Sequence, residues 1–264
     1  MAKIEEFGIP THLEITCPAC GNVNLAQVDS SLYFTWKLNS GVVLDIFDRV
    51  DWHTFGEVFL NKCYEPAVNL LSTVQDIKVT VYDLGANTGM FSTYMLDRSI
   101  RKKQIVNITA VEANPATFNL LNRRMQIQKE NISSGSCVRL MNKLVGLQAG
   151  DSELFIDTHH VMASTKKKHD TYVNSVISSY VDLETLDPLQ SIDLIKCDIE
   201  GSELDFVNTY AKGLLRRTKV FICELHADIC DIPQLNKKIE ESEFSFCEEL
   251  DRTKANSVKM WWRQ

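Results

Sequence analysis

The sequence predicts an α/β domain: a mostly parallel sheet covered by helices on both faces. Three observations carry that expectation. From residue 79 onward, short β-branched runs alternate with longer amphipathic runs, the pattern of strand–helix–strand units and so of parallel strands. The first strand, at 79–82, leaves through Asp83-Leu84-Gly85-Ala86-Asn87-Thr88-Gly89 into a helix beginning near Met90. The second, at 105–111, ends in Glu112 and meets Asn114-Pro115 at the start of another helix, where the missing proline N–H costs nothing. In such sheets ligands bind beyond the carboxyl ends of the strands, where the strand order reverses.

The remaining elements follow in order. Upstream, residues 32–38 and 42–47 look extended and 66–74 helical. Downstream of the second strand a helix runs to about residue 128. Strands are expected at 138–145, 192–197 and 220–225, helices at 202–210 and 233–241, and closing strands at 244–248 and 258–262. The stretch 158–174 breaks this rhythm and reads as a solvated loop, although substrate loops interrupt folds in the same way. His159, His160, His169 and the basic run Lys166-Lys167-Lys168 belong to it. The chain divides into an N-terminal extension or lid, 1–75, and a ligand-binding domain, 76–264.

Composition excludes several classes. With 264 residues, 44% hydrophobic and 24% charged, the chain can bury a full core without staples. No apolar run approaches the roughly 18 residues of a membrane span, and Met1 to Ile15 lacks a secretory apolar segment. A cytoplasmic location and no membrane partner are expected. A net charge of −7 predicts no nucleic-acid partner, which would need a basic face. The eight cysteines read as free thiols, Cys197 and Cys223 as buried small hydrophobes. Cys17-Pro18-Ala19-Cys20 is half a zinc ribbon with no second pair, so a proline turn is expected. Trp36, Trp261 and Trp262 read as packing; Trp52 and His53 stand beside the lid.

The glycine turn carries the first chemistry. Its G-x-x-x-G spacing is neither the dinucleotide G-x-G-x-x-G nor a P-loop. Asp83 at the strand end would repel a pyrophosphate and attract an amino group and a sulfonium, which favours S-adenosylmethionine over NAD. Glu112, 27 positions after Gly85, can accept both ribose hydroxyls of an adenosine. Later, Asp198 and Glu200 follow one buried strand and Glu224 and His226 end another, so the four meet on one rim if those strands flank the first. An aliphatic hydroxyl there needs its proton removed by a general base or its pKa lowered by a divalent ion. Such an ion, if bound, would use Asp198, Glu200, Glu224 and His226. Glu203 is expected only to cap the helix that follows, and Lys196 receives no role.

These residues resemble the FkbM family of S-adenosylmethionine-dependent methyltransferases. The resemblance rests on Asp83 to Gly89, on Glu112 and on Ile192-Asp-Leu-Ile-Lys-Cys-Asp-Ile-Glu-Gly-Ser-Glu. It rests also on Ile222-Cys-Glu-Leu-His and on the upstream segment from Asp51 to Tyr64. It implies a Rossmann-like class I methyltransferase fold with a mostly parallel seven-stranded sheet. It also implies O-methylation of a hydroxyl on a sugar, polyketide or peptide natural product. Asp83, Gly85, Asn87, Gly89 and Ser92 would then line the cofactor loop. Glu112 would hold the ribose, and Asn142 and its neighbours would approach the adenine. Glu57 and Tyr64 would lie over the cofactor, with Asp198, Glu200, Glu224 and His226 facing a small-molecule or glycan acceptor. A homodimer is compatible with all of this. The competing readings are an N-methyltransferase of a small molecule and a non-catalytic adenosine-binding module.

Overall fold

The computed structural model describes residues 34–46, 49–71, 78–130, 132, 135–157, 163–166, 172–188, 190–252 and 256–263. Expectations placed on Cys17, Cys20, His159, His160, Lys167, Lys168 and His169 lie outside those residues.

A short antiparallel hairpin, β1 (Phe34–Lys37) and β2 (Val43–Ile46), precedes helix α1 (Arg49–Phe55). This helix runs on into a π-helical turn, Gly56–Leu60, and then comes α2 (Glu65–Leu70). The sheet begins with β3 (Lys78–Leu84), followed by α3 (Met90–Arg101), β4 (Ile105–Val111), α4 (Pro115–Ile127) and β5 (Cys137–Met141). Three strands then pair among themselves: β6 (Asp151–Asp157), β7 (Ala163–Ser164) and β8 (Tyr172–Ser179). The chain returns to the main sheet through α5 (Leu183–Leu186), β9 (Ile192–Cys197), α6 (Glu203–Tyr210) and β10 (Thr218–His226). It ends with α7 (Ile232–Glu240), β11 (Phe246–Arg252) and β12 (Asn256–Trp262).

The main sheet has seven strands in the order β11-β12-β10-β9-β3-β4-β5. Its five inner and outer strands from β10 to β5 pair in parallel, and β12 runs antiparallel to both of its neighbours. The arrangement is that of a class I methyltransferase fold. The central strands are buried on both faces: every residue of β9 is buried, and every residue of β3 except Lys78. Such strands favour near-continuous apolar runs, and Val79–Leu84 and Ile192–Cys197 are interrupted at Thr80, Asp83, Asp193 and Lys196. The chain moves from β3 outward to β5, then returns to β9 on the other side. The order therefore reverses between β3 and β9. There the Asp198 N–H donates to the Leu84 carbonyl at 3.0 Å, and Asp83 stands opposite Lys196.

The segment 34–71 is not a separate body. Leu44, Ile46, Phe55 and Phe59 share one core with Val81, Tyr94 and Val106. Stacked rings run from Trp36 through Phe55 to Phe59, which meets Tyr94 edge-on. Trp52, half-exposed, packs on Trp36 and Phe55.

Two expectations change. The strand foreseen at 138–145 stops at Met141, because the Asn142 amide turns back to donate to the carbonyls of Glu112 and Ala113 at 2.9 and 3.0 Å. Only a single bridge, Leu144 to Tyr180, continues it. The stretch read as a loop is flanked by β6 and β8 and contains β7. The polar residues of Asp151–Asp157 hid a strand that lies half in solvent.

Candidate active site at the sheet switch point

Two clefts open at the carboxyl ends of the strands, with the His226 cluster between them: Asp198 and Glu200 line one and Glu224 lines the other. The first, of about 560 Å³, is lined by Gly85, Asn87, Glu112, Asp198 and Glu200, with Leu144 and Thr165 beyond them. Gly85 sits at φ +70°, and a Cβ there would overlap the Asp198 carbonyl oxygen. Only glycine allows β9 to approach this turn so closely. Asn87 also has a left-handed backbone (φ +51°), a conformation that asparagine tolerates. Its N–H donates to Glu112 at 2.9 Å, and the same carboxylate accepts from the Asn114 N–H at 2.8 Å. Glu112 thus joins the glycine turn to the tip of β4. Burial pushes its carboxyl up to about 7, although the two N–H groups oppose the shift.

Other residues expected in the cofactor loop lie behind it. Asp83 is wholly buried, accepts from Ser92 Oγ at 2.7 Å and lies 3.8 Å from Lys196 Nζ. Burial raises its pKa. Ser92 is equally buried, and Gly89 packs its α-carbon against Leu121 of α4. Asn142 fixes the β4 tip from below through the bonds already described. These four residues are placed to shape the loop.

Lys196, given no role above, sits at the centre of the site. Its ammonium donates to the Gly85 carbonyl at 2.8 Å and to Asp198 Oδ2 at 3.3 Å. Burial alone would lower its pKa, but Asp198 and Asp83 outweigh burial and hold it above its usual range. The K-x-D-x-E alternation along the strand end was the signal for this placement.

The four expected rim residues do converge. His226 is 3% exposed, and its Nε2 lies 3.4 Å from Glu200, 3.9 Å from Asp198 and 3.9 Å from Glu224. Its Nδ1 lies 3.0 Å from Glu203 Oε1. Glu203 also accepts from the Gly201 and Ile199 N–H groups at 3.0 and 3.3 Å. It therefore braces the turn before α6 rather than capping that helix, the role expected of it, and in addition orients the imidazole, as carboxylates behind functional histidines do. Glu200 is held at φ +52°, with its carbonyl accepting from Ser164 Oγ of the inserted sheet at 2.6 Å. A left-handed glutamate is strained backbone, of the kind that gathers at functional sites.

Proton affinities in this cluster are displaced together. Burial, then Asp198, pushes Glu200 up to about 8. Asp198, then burial, pushes Glu224 up to about 7. Burial disfavours the imidazolium of His226, but Glu203, Asp198 and Glu200 outweigh it and carry the group to about 10. The groups titrate as a unit. Donor atoms of Asp198, Glu200 and His226 lie within 4.8 Å of one another, a spacing that a divalent ion can bridge. The Lys196 ammonium, hydrogen-bonded to Asp198, already places one cation beside that set.

The second cleft, of about 360 Å³, is lined by Glu57, Cys63, Tyr64, Glu224 and Asn256, among others. Glu57 and Tyr64 thus face the β10 side of the site, away from Glu112. Asn256 holds Glu224 at 2.9 Å, and Tyr64 packs edge-on against Phe91. His53 pairs with Glu57 at 3.3 Å on the exposed side of the π-helical turn. Among the described residues, no helix is long and apolar enough to cross a membrane.

The sheet order and the switch-point glycine turn are those of a class I methyltransferase fold. Residues 83–250, more than half of the chain, match the methyltransferase FkbM domain, and the chain belongs to that family. It is 27% identical over 194 residues to Methyltransferase 1 of Beauveria bassiana, covering 66% of this chain and 72% of that one. It is similar to the crystal structure of methyltransferase FkbM from Methylobacillus flagellatus, with a TM-score of 0.52 at 12% identity. That match covers 72% of this chain but only 44% of the other, so the chain spans less than half of that protein. It is also similar to the Thermus thermophilus 16S rRNA N2 G1207 methyltransferase in complex with AdoMet and guanosine. There the TM-score is 0.42 at 13% identity, over 88% of this chain and 50% of that one. The two structural likenesses show the fold alone. The expectation of no nucleic-acid partner is corrected. A net charge averaged over the chain does not describe its cleft, so it excludes no nucleic-acid partner.

Proposed function

We propose that this protein transfers a methyl group from S-adenosylmethionine to a hydroxyl oxygen. The observation that carries the reading is the adjacency of the two clefts. The Gly85–Glu112 cleft suits an adenosine, and the Asp198–Glu200–Glu224–His226 cluster stands at the junction with the second cleft.

The chain's own groups then divide the work. Glu112, in its carboxylate form, accepts the ribose hydroxyls, and the open backbone at Gly85 admits the nucleoside. The negative rim attracts the sulfonium end. The methyl group is reactive once bound, so alignment of oxygen, carbon and sulfur supplies much of the rate. As the oxygen attacks the methyl carbon and the carbon–sulfur bond breaks, the hydroxyl proton passes to the cluster. Carboxylates poised near pH 7 suit that task. Lys196 stays protonated and holds Asp198 by a hydrogen bond. The hydroxyl is read as belonging to a sugar, polyketide or peptide.

Methyl transfer to hydroxylated extracts, followed with S-adenosyl-[methyl-³H]methionine, tests this reading. An alkali-stable, acid-stable ether product is expected. A product methylated on nitrogen, with its rate unaffected in His226→Asn, would overturn it in favour of N-methylation. Cofactor binding without any turnover would favour a binding module.

A further inference from the structure

Arg124, on α4, is the largest side chain that is wholly buried, and neither cleft includes it. Its guanidinium reaches three separate stretches of chain. Nη1 donates to the Thr88 carbonyl at 2.5 Å and to Thr88 Oγ1 at 2.7 Å. Nη2 donates to the Asp45 carbonyl and to Asp51 Oδ2, both at 2.5 Å. The Thr88 hydroxyl in turn donates to Asp51 Oδ1 at 2.5 Å. Thr88 lies between Asn87 and Gly89, which both have positive φ. Asn87 is therefore anchored on two sides: through Thr88 to the clasp, and through its own N–H to Glu112. A strained turn persists only where its surroundings over-determine it.

A burden that heavy on one buried ion pair is unnecessary for seating the N-terminal segment. Another residue of the same helix region already ties it down. Gln128 donates to the Val43 carbonyl at 2.5 Å and accepts from the Val43 N–H at 3.0 Å, and no bond of Gln128 reaches the glycine turn.

We infer that Asp51, Arg124 and Thr88 form a positioning clasp that couples the seating of residues 34–71 to the shape of the cofactor turn. Cofactor affinity then depends on the N-terminal segment, which also carries Glu57 and Tyr64 into the second cleft. The inference rests on the proposed use of the first cleft.

The full chain with Asp51→Asn, Arg124→Lys, Thr88→Val or Gln128→Ala is titrated calorimetrically with S-adenosylhomocysteine. Amide exchange at residues 85–89 is measured in the ligand-free proteins. Asp51→Asn and Arg124→Lys are expected to weaken binding at least 10-fold and to speed exchange in the turn at least 10-fold. Thr88→Val should do so by a few-fold. Gln128→Ala should leave both within 2-fold, even where it lowers the unfolding temperature. Equal losses in Gln128→Ala and Asp51→Asn would reduce the clasp to general stability and overturn the inference. So would unchanged exchange in Asp51→Asn. If Asp51→Asn or Arg124→Lys does not fold, Thr88→Val decides, and unchanged exchange there overturns it. A wild-type protein that fails to bind S-adenosylhomocysteine sinks the proposed function, and exchange still judges the clasp.

Discussion

The two halves of the site are built by different means. The Gly85–Glu112 half is made by backbone: a left-handed glycine, a left-handed asparagine and one carboxylate that accepts two N–H groups. The Asp198–His226 half is made by side chains from two strand ends and a helix start, held by mutual charge. A backbone site tolerates almost no change of shape, whereas a charge site tolerates shape changes better than changes of proton affinity.

That contrast orders the expected effects. Gly85→Ala should be the most severe, since the new methyl meets the Asp198 carbonyl and the left-handed backbone adds about 1 kcal/mol. Calorimetry should show S-adenosylhomocysteine affinity falling more than about 100-fold, or roughly 3 kcal/mol. His226→Asn comes next, with kcat lower by about 10²- to 10⁴-fold and S-adenosylhomocysteine affinity within 3-fold. A comparable loss of affinity in that variant would erase the distinction between the halves.

The pH profile sharpens it. The cluster accepts a proton only when its carboxylates are ionised, and Glu224 stands near 7 and Glu200 near 8. The rate should therefore fall as pH drops below about 7. His226 lowers the pKa of both acids, so in the residual activity of His226→Asn that limb should move to higher pH. Glu203→Gln removes the charge behind the imidazole. It should lower the affinity of His226 for its proton, seen as an upfield shift in its histidine NMR titration, with a kcat loss of about 10-fold. The smallest effect falls on the cofactor half. Glu112 is protonated below about 7, so S-adenosylhomocysteine should bind a few-fold more weakly at pH 6 than at pH 8, and Glu112→Gln should abolish that dependence.

The backbone half was the easier one to read from sequence. Glycine at 85 and acid at 112 are one-residue signals at fixed places in strand–turn–helix–strand order, and burial follows from the apolar runs around them. The rim acids and His226 were readable for the same reason, because strand ends at a switch point share a rim. Four things escaped. Glu203 reads as a helix cap from its position, and its bond to His226 spans 23 residues. Lys196 points along a buried strand, where its partners at 83 and 85 come from another strand. Arg124 reaches Asp51 across 73 residues, and no local pattern marks either of them. The inserted sheet escaped because its strands alternate weakly and lie partly in solvent.

The account turns on a carboxylate at the β4 tip holding a nucleoside that has no phosphate. Calorimetric titration of wild type and Glu112→Ala with S-adenosylhomocysteine, beside NADH as control, measures this directly. Saturable binding of S-adenosylhomocysteine alone is predicted, weakened at least 10-fold in Glu112→Ala. Binding of NADH instead, or equal S-adenosylhomocysteine affinity in the two proteins, would contradict it.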